Sequence, residues 1–227
     1  MRERATGGPA LAAAALLMTA AACSGGDDQG DEGAAAAGPA GSTVVTTAVA
    51  PPCSESRHLV VLDISGTITA SKEEVIEWLS DANDVPLPRE LAPELAAAYD
   101  ERGYELLYVT GLPGTHMIGD QATPEAMTTW LTDNGFPIED ARVETTHTPD
   151  PPTELSNDLI LLAADGVTLS VGYTDHPDDV QSFNVAGVQQ IYLLGDATAD
   201  SLTTSIPGGD LAGELERVES LPPVCSR

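Results

Sequence analysis

The sequence predicts an α/β fold, a Rossmann-like three-layer sandwich on a mainly parallel sheet of about five strands with a minimal cap. Three observations lead there. After Cys53, short apolar runs alternate with stretches of helical periodicity, the order of βαβ units around a parallel sheet. Four of the helical stretches close on a glycine, the residue that best accepts the left-handed conformation ending a helix. Most of the strand candidates run into a short polar segment, and an open parallel sheet gathers such segments at its carboxyl edge.

The first strand candidate, residues 58–62, is a Leu/Val run that stops at Asp63, and the turn after it contains Gly66. A helix follows in "SKEEVIEWL", where Ser71 and Glu74 have the spacing of a capping box. The stretch "PRELAPELAAAYDERG" forms the next helix and ends at Gly103. Residues 105–109 are the second strand, closed by Thr110 and Gly111. Thr123 and Pro124 open "TPEAMTTWLTDNG", with proline in the first helical turn and Gly135 as the stop. Residues 142–145 form the third strand, "TELSNDLILLAADG" a helix, and 168–171 the fourth strand, which leads into the acidic "YTDHPDD". The helix "HPDDVQSFNVAG" then precedes the fifth strand, 190–194, which ends in Gly195 and Asp196. The remaining tail reads as loop with one short helix near 211–218, and no internal repeat is present. Trp78 and Trp130 fall on apolar helical faces and are expected in the core.

Composition bounds the function. With 42% hydrophobic residues in 227, the chain can bury one core, assigned to residues 53–227. Its 36 acidic and 9 basic residues give a net charge of −27, which disfavours nucleic acid and bare anionic lipid as partners. Residues 1–22 carry Arg2 and Arg4, then an apolar Ala/Leu run, then small residues before Cys23. This segment resembles a bacterial lipoprotein signal, which implies export, lipid modification of Cys23 and anchoring to the outer face of the cell membrane. The residues by themselves also fit an ordinary cleaved signal peptide or a short membrane anchor. Residues 23–52, rich in Gly, Ala, Asp and Thr and free of aromatics, cannot offset the entropy of ordering and read as a tether. In an oxidising compartment Cys53 and Cys225 are left as a disulfide stapling the domain's two ends, or as two free thiols.

The segments "VVLDISGTIT", "LLYVTGLPG" and "VGYTDHPDDV" resemble motifs one, two and four of the haloacid-dehalogenase-like phosphohydrolases. Within that superfamily the likeness is to the lipin-type domain, which also forms the C-terminal part of phosphatidylinositol transfer proteins. The resemblance implies that Asp63 is a phosphoryl-accepting nucleophile. It also implies that Asp63, the Ser65 backbone carbonyl and Asp175 hold Mg²⁺, and that Gly66, Thr67, Thr110 and Gly111 bind phosphate. Thr110 steadies the phosphoryl group, and Asp179 is a secondary acidic position.

Two departures bear on turnover. Ser65 stands where phosphatases carry a second aspartate as general acid, and losing such a group costs on the order of 10²–10⁴ in rate. The basic residue of the third motif has no counterpart between Val143 and Thr174, and Leu112 replaces the arginine common after motif two. Lys72, the sole lysine, heads a helix. His116, His147 and His176 each follow a strand, either as loop residues in solvent or as a compensating cluster. The leading expectation is therefore a degenerate site that binds a small phosphorylated or anionic ligand through a metal with little turnover. The alternatives are a slow Mg²⁺-dependent phosphatase or phosphotransferase, and an anchored protein-interaction domain with a dead site.

Overall fold

The computed structural model describes residues 57–148, 150–195 and 202–224. The expectations for residues 1–22 and 23–52, for Cys23, Cys53 and Cys225, and for Asp196 lie outside the described residues.

Among the described residues the main sheet has six strands, all parallel. They are β1 (Arg57–Asp63), β2 (Glu105–Pro113), β5 (Arg142–Thr146), β6 (Val167–Thr174), β7 (Gln190–Leu194) and β8 (Thr203–Ile206), in the spatial order β5-β2-β1-β6-β7-β8. The expected count of about five is corrected by β8, a segment read from sequence as loop. Its residues are Thr-Thr-Ser-Ile, and only Ile206 is buried, so the edge strand presents no apolar run. Two short strands, β3 (Met117–Ile118) and β4 (Gln121–Ala122), form an antiparallel hairpin after β2.

Alternation of the strand side chains builds two cores. On one face Val60, Leu62, Tyr108 and Tyr173 pack with α1 (Lys72–Ser80), α2 (Ala92–Asp100), α3 (Thr123–Asp133) and α6 (Ala212–Glu219). On the other, Leu59, Val61, Leu107 and Leu193 pack against α4 (Pro151–Ala164) and α5 (Pro177–Ala186). The result is the three-layer sandwich, with β1 in the interior of the sheet. An irregularity pairs Leu59 with Leu169 but Val60 with Val171. The extra residue, Ser170, hydrogen-bonds His58 Nδ1 at 3.0 Å, so a polar group in the bulge has a partner. Trp78 and Trp130 are core residues as expected, and the Trp130 indole N–H donates to the Pro86 carbonyl.

The start of α1 only half follows its sequence signature. Ser71 Oγ accepts from the Glu74 N–H at 3.2 Å, but the Glu74 carboxylate turns away to accept from the Leu87 N–H at 3.0 Å. That bond ties α1 to the segment that returns past the end of β1.

Candidate functional site at the carboxyl edge

Asp63 ends β1 with 5% of its surface exposed. Its Oδ2 accepts a hydrogen bond from Thr67 Oγ1 at 2.8 Å. The chain turns between them: Ser65 is extended, and Gly66 takes φ 80°. Glycine is required there twice over. The conformation is left-handed, and a Cβ would run into the carboxylate of Asp175, 2.9 Å from its Cγ. The Gly66 N–H donates to Thr69 Oγ1 at 2.7 Å, and Thr69 Oγ1 donates on to the Ile64 carbonyl, so the turn is closed by its own side chains.

Asp175 follows the last residue of β6 and is half-buried. Asp179 lies in the first turn of α5 and accepts from Thr174 Oγ1 at 3.1 Å. The neighbouring Asp178 is exposed, with the His176 ring beside it. The acidic pair thus splits, one member facing the site and one facing solvent. Burial first, and then the negative charges of Asp179 and Asp175, push the Asp63 carboxyl well above the ordinary range, against the pull of the Thr67 hydrogen bond. Asp175 and Asp179 are raised as well, chiefly by burial. Three carboxylates that resist ionising together describe a place where a cation would be stabilising.

Thr110 is buried at the end of the regular part of β2, where a register irregularity precedes Pro113. Its Oγ1 lies 3.5 Å from Ser65 Oγ and accepts from the Leu112 N–H at 3.3 Å. The Leu112 side chain, at the position where an arginine is common, packs against the core instead. Asp63, Thr110, Gly111 and Asp179 share a narrow cleft of about 60 Å³ with Glu144, Glu154 and Asp158, and no lysine or arginine lines it.

The three histidines do not gather. His116 is exposed on the loop before β3, and His147 is held outside by its ring nitrogen on Glu154 at 3.0 Å. His176 alone stands beside the acidic residues, capping α5. Besides His176, two basic side chains act on the site. Lys72, exposed at the head of α1, and Arg89, between α1 and α2, both favour ionisation of Asp175. Arg89 had no signal in the sequence, because nothing local marks a residue that reaches back more than twenty positions to the turn after Asp63.

Asp63 and Asp175 are the carboxylates on either side of the Gly66 turn, and the sequence adds the Ser65 carbonyl as the expected third donor to a metal. Among the described residues no group of three or more His, Cys, Asp or Glu side chains could hold a metal ion by side chains alone. Two carboxylates and a carbonyl, completed by water, are an oxygen-only set that fits Mg²⁺ rather than a transition metal.

The sequence model of the PITM 1-3 LNS2 domain matches residues 60–195, more than half of the chain. The chain belongs to the LNS2 family. Its LNS2 domain has the haloacid-dehalogenase-like phosphatase fold. A structure from Mesorhizobium loti described as a HAD-like phosphatase is similar at 21% identity, covering 74% of this chain and 88% of that one, with a TM-score of 0.54. The D,D-heptose 1,7-bisphosphate phosphatase of B. bronchiseptica, solved with magnesium and phosphate, is similar at 18% identity, covering 71% of this chain and 97% of its own, with a TM-score of 0.53. No curated protein matches the chain in sequence. At these identities the structural likeness speaks for the fold.

Proposed function

We propose that the LNS2 domain binds a small phosphorylated or anionic ligand through Mg²⁺ at Asp63, with little turnover, and that the protein is exported and lipid-anchored at Cys23. The observation that carries the reading is the charge balance at the carboxyl edge. Asp63, Asp175 and Asp179 are crowded and partly desolvated, while the cleft beside them is lined by further carboxylates. An anion enters such a cleft only with a cation already in it. Asp63, the Ser65 carbonyl and Asp175 would hold the metal, which when bound neutralises the carboxylates and the phosphate. Thr110 and the backbone of Gly111 would take the phosphate oxygens, whereas the Gly66 N–H and the Thr67 hydroxyl, expected from the sequence to do so, are already spent on Thr69 and Asp63. The narrowness of the cleft favours the phosphoryl group itself, with the rest of an ester in solvent.

Little turnover is expected because Ser65 cannot deliver a proton at neutral pH, and its hydroxyl lies toward Thr110. If Asp63 attacks phosphorus, the ester P–O bond breaks, and the leaving alkoxide must take its proton from water. Hydrolysis of the aspartyl phosphate then also lacks a base, so the acyl phosphate would persist.

The test incubates the protein with Mg²⁺ and beryllofluoride, and separately with a generic aryl phosphate. Binding of beryllofluoride that Asp63→Asn abolishes, with negligible release of phenol, is the expected result. Sustained release abolished by Asp63→Asn selects the slow phosphatase. Neither binding nor release leaves the domain as an anchored interaction unit. The anchor is checked by mass spectrometry for a lipid on Cys23 and by loss of the protein from the membrane fraction in Cys23→Ser.

A further inference from the structure

Arg89 satisfies three consecutive carbonyls of the turn after Asp63. Its Nη2 donates to Gly66 O at 2.5 Å, its Nε to Thr67 O at 2.6 Å, and its backbone N–H to Ile68 O at 2.8 Å. The same segment is fixed from both sides: the Ala70 N–H donates to Leu87 O, and Thr69 bridges to Pro88. Leu91, two residues on, has φ 65°, the one left-handed non-glycine among the described residues. A non-glycine side chain is strained in that conformation, and such strain persists only where surrounding contacts demand the path. Behind the guanidinium stands the glycine turn before α6. A Cβ on Gly209, itself at φ 69°, would strike the Arg89 side chain. Arg89, Gly208 and Gly209 line a groove of about 460 Å³ there, so the guanidinium is held between the turn after Asp63 and the end of β8.

We propose that Arg89 is the positioning residue of this site: through the Gly66 and Thr67 carbonyls it fixes the peptide planes that set Thr67 against Asp63 and Gly66 against Asp175. The inference rests on the reading of Asp63 as the centre of the site. The chain of contact is short. Thr67 donates to Asp63 and Gly66 abuts Asp175, so both carboxylates take their spacing from the two peptides that Arg89 grips. The guanidinium also places a positive charge next to an edge of carboxylates while spending two of its donors on backbone. A lysine, with one point of attachment, cannot hold both carbonyls in a fixed plane.

The experiment compares wild type with Arg89→Ala, Arg89→Lys and Gly209→Ala. Arg57→Ala serves as a control for a cation lost at the far end of β1. Hydrogen exchange is followed in the metal-free proteins well below their melting points, and Mg²⁺-beryllofluoride affinity by calorimetry. Positioning by Arg89 predicts that the Gly66 and Thr69 amides exchange at least about tenfold faster in Arg89→Ala, with Arg89→Lys and Gly209→Ala between it and wild type. Affinity should fall about tenfold or more in Arg89→Ala, recover in part in Arg89→Lys, and stay unchanged in Arg57→Ala. If Arg89→Ala does not fold, the lysine and Gly209 variants carry the comparison. Loop exchange and affinity both at the wild-type level in folded variants overturn the proposal. Faster loop exchange in Arg89 variants of a protein that binds no beryllofluoride even as wild type would keep the positioning role and sink the Asp63 ligand reading instead.

Discussion

Glu154, on the first turn of α4, accepts hydrogen bonds from the backbone N–H groups of His147 and Thr148 and from the Thr148 hydroxyl, all at 2.9 Å, and pairs with the His147 ring. Burial alone would raise its pKa, but these donors outweigh it and bring the carboxyl down to about 2 from 4.5. The ionised form is therefore favoured by folding. Its stabilisation is fully present above pH 4.5 and is lost as pH falls to about 2. A glutamine at this position offers one acceptor where the loop presents several donors. Glu154→Gln is expected to lower the neutral-pH melting temperature by roughly 2–4 °C, equivalent to about 1 kcal/mol in a domain of this size. It should also flatten the acid limb of the stability curve between pH 4.5 and about 2. Thermal melts of both proteins from acid to neutral pH test this, and identical acid limbs would show that the carboxylate does not hold the loop.

Among the elements, α5 carries both a core side chain and the site's Asp179, and it seats on β6 through a glycine. A Cβ at Gly172 would come within 2.6 Å of the fully buried Phe183 ring. Gly172→Ala should therefore cost about 1–3 kcal/mol by overpacking, lift α5 from the sheet and move Asp179 from its bond with Thr174. The denaturation midpoint should drop, and Phe183→Leu should restore part of it, a coupling readable in a double-mutant cycle. Additive effects would mean that α5 accommodates the methyl group without shifting. Elements of this kind, with strong apolar periodicity and glycine stops, were legible in the sequence: α3 and α5 lie within the stretches expected of them, and α4 starts two residues ahead of its own, at Pro151. What escaped was set by tertiary contact. β8 buries one side chain, so it carries no strand signal until β7 pairs with it. The placement of Asp63, Thr110 and Asp175 at the carboxyl edge was legible because each sits in a contiguous motif at a strand end. The site was illegible at Arg89, which meets it only through backbone carbonyls of another segment.

At the scale of the whole molecule, acidic residues are gathered at both ends of the sheet. At the carboxyl edge stand Asp63, Asp175 and Asp179. At the amino edge Asp100, Glu101, Glu139 and Asp140 line a cleft of about 780 Å³, where burial and then the charge of Asp140 raise the Asp100 carboxyl. Self-repulsion of this kind is screened over about 10 Å at 0.1 M salt, so sodium chloride should raise the melting temperature of wild type and Asp63→Asn alike. A specific cation behaves differently, because binding to the folded state alone stabilises in proportion to the logarithm of its concentration over Kd. Magnesium chloride at matched ionic strength should therefore add a further increment in wild type and none in Asp63→Asn. The variant should also melt above wild type without metal, since it lacks a buried negative charge facing two others. An increment that survives Asp63→Asn but disappears with Asp100→Asn would place the divalent cation at the amino edge, and the charge crowding around Asp63 would then have to be relieved by protonation alone.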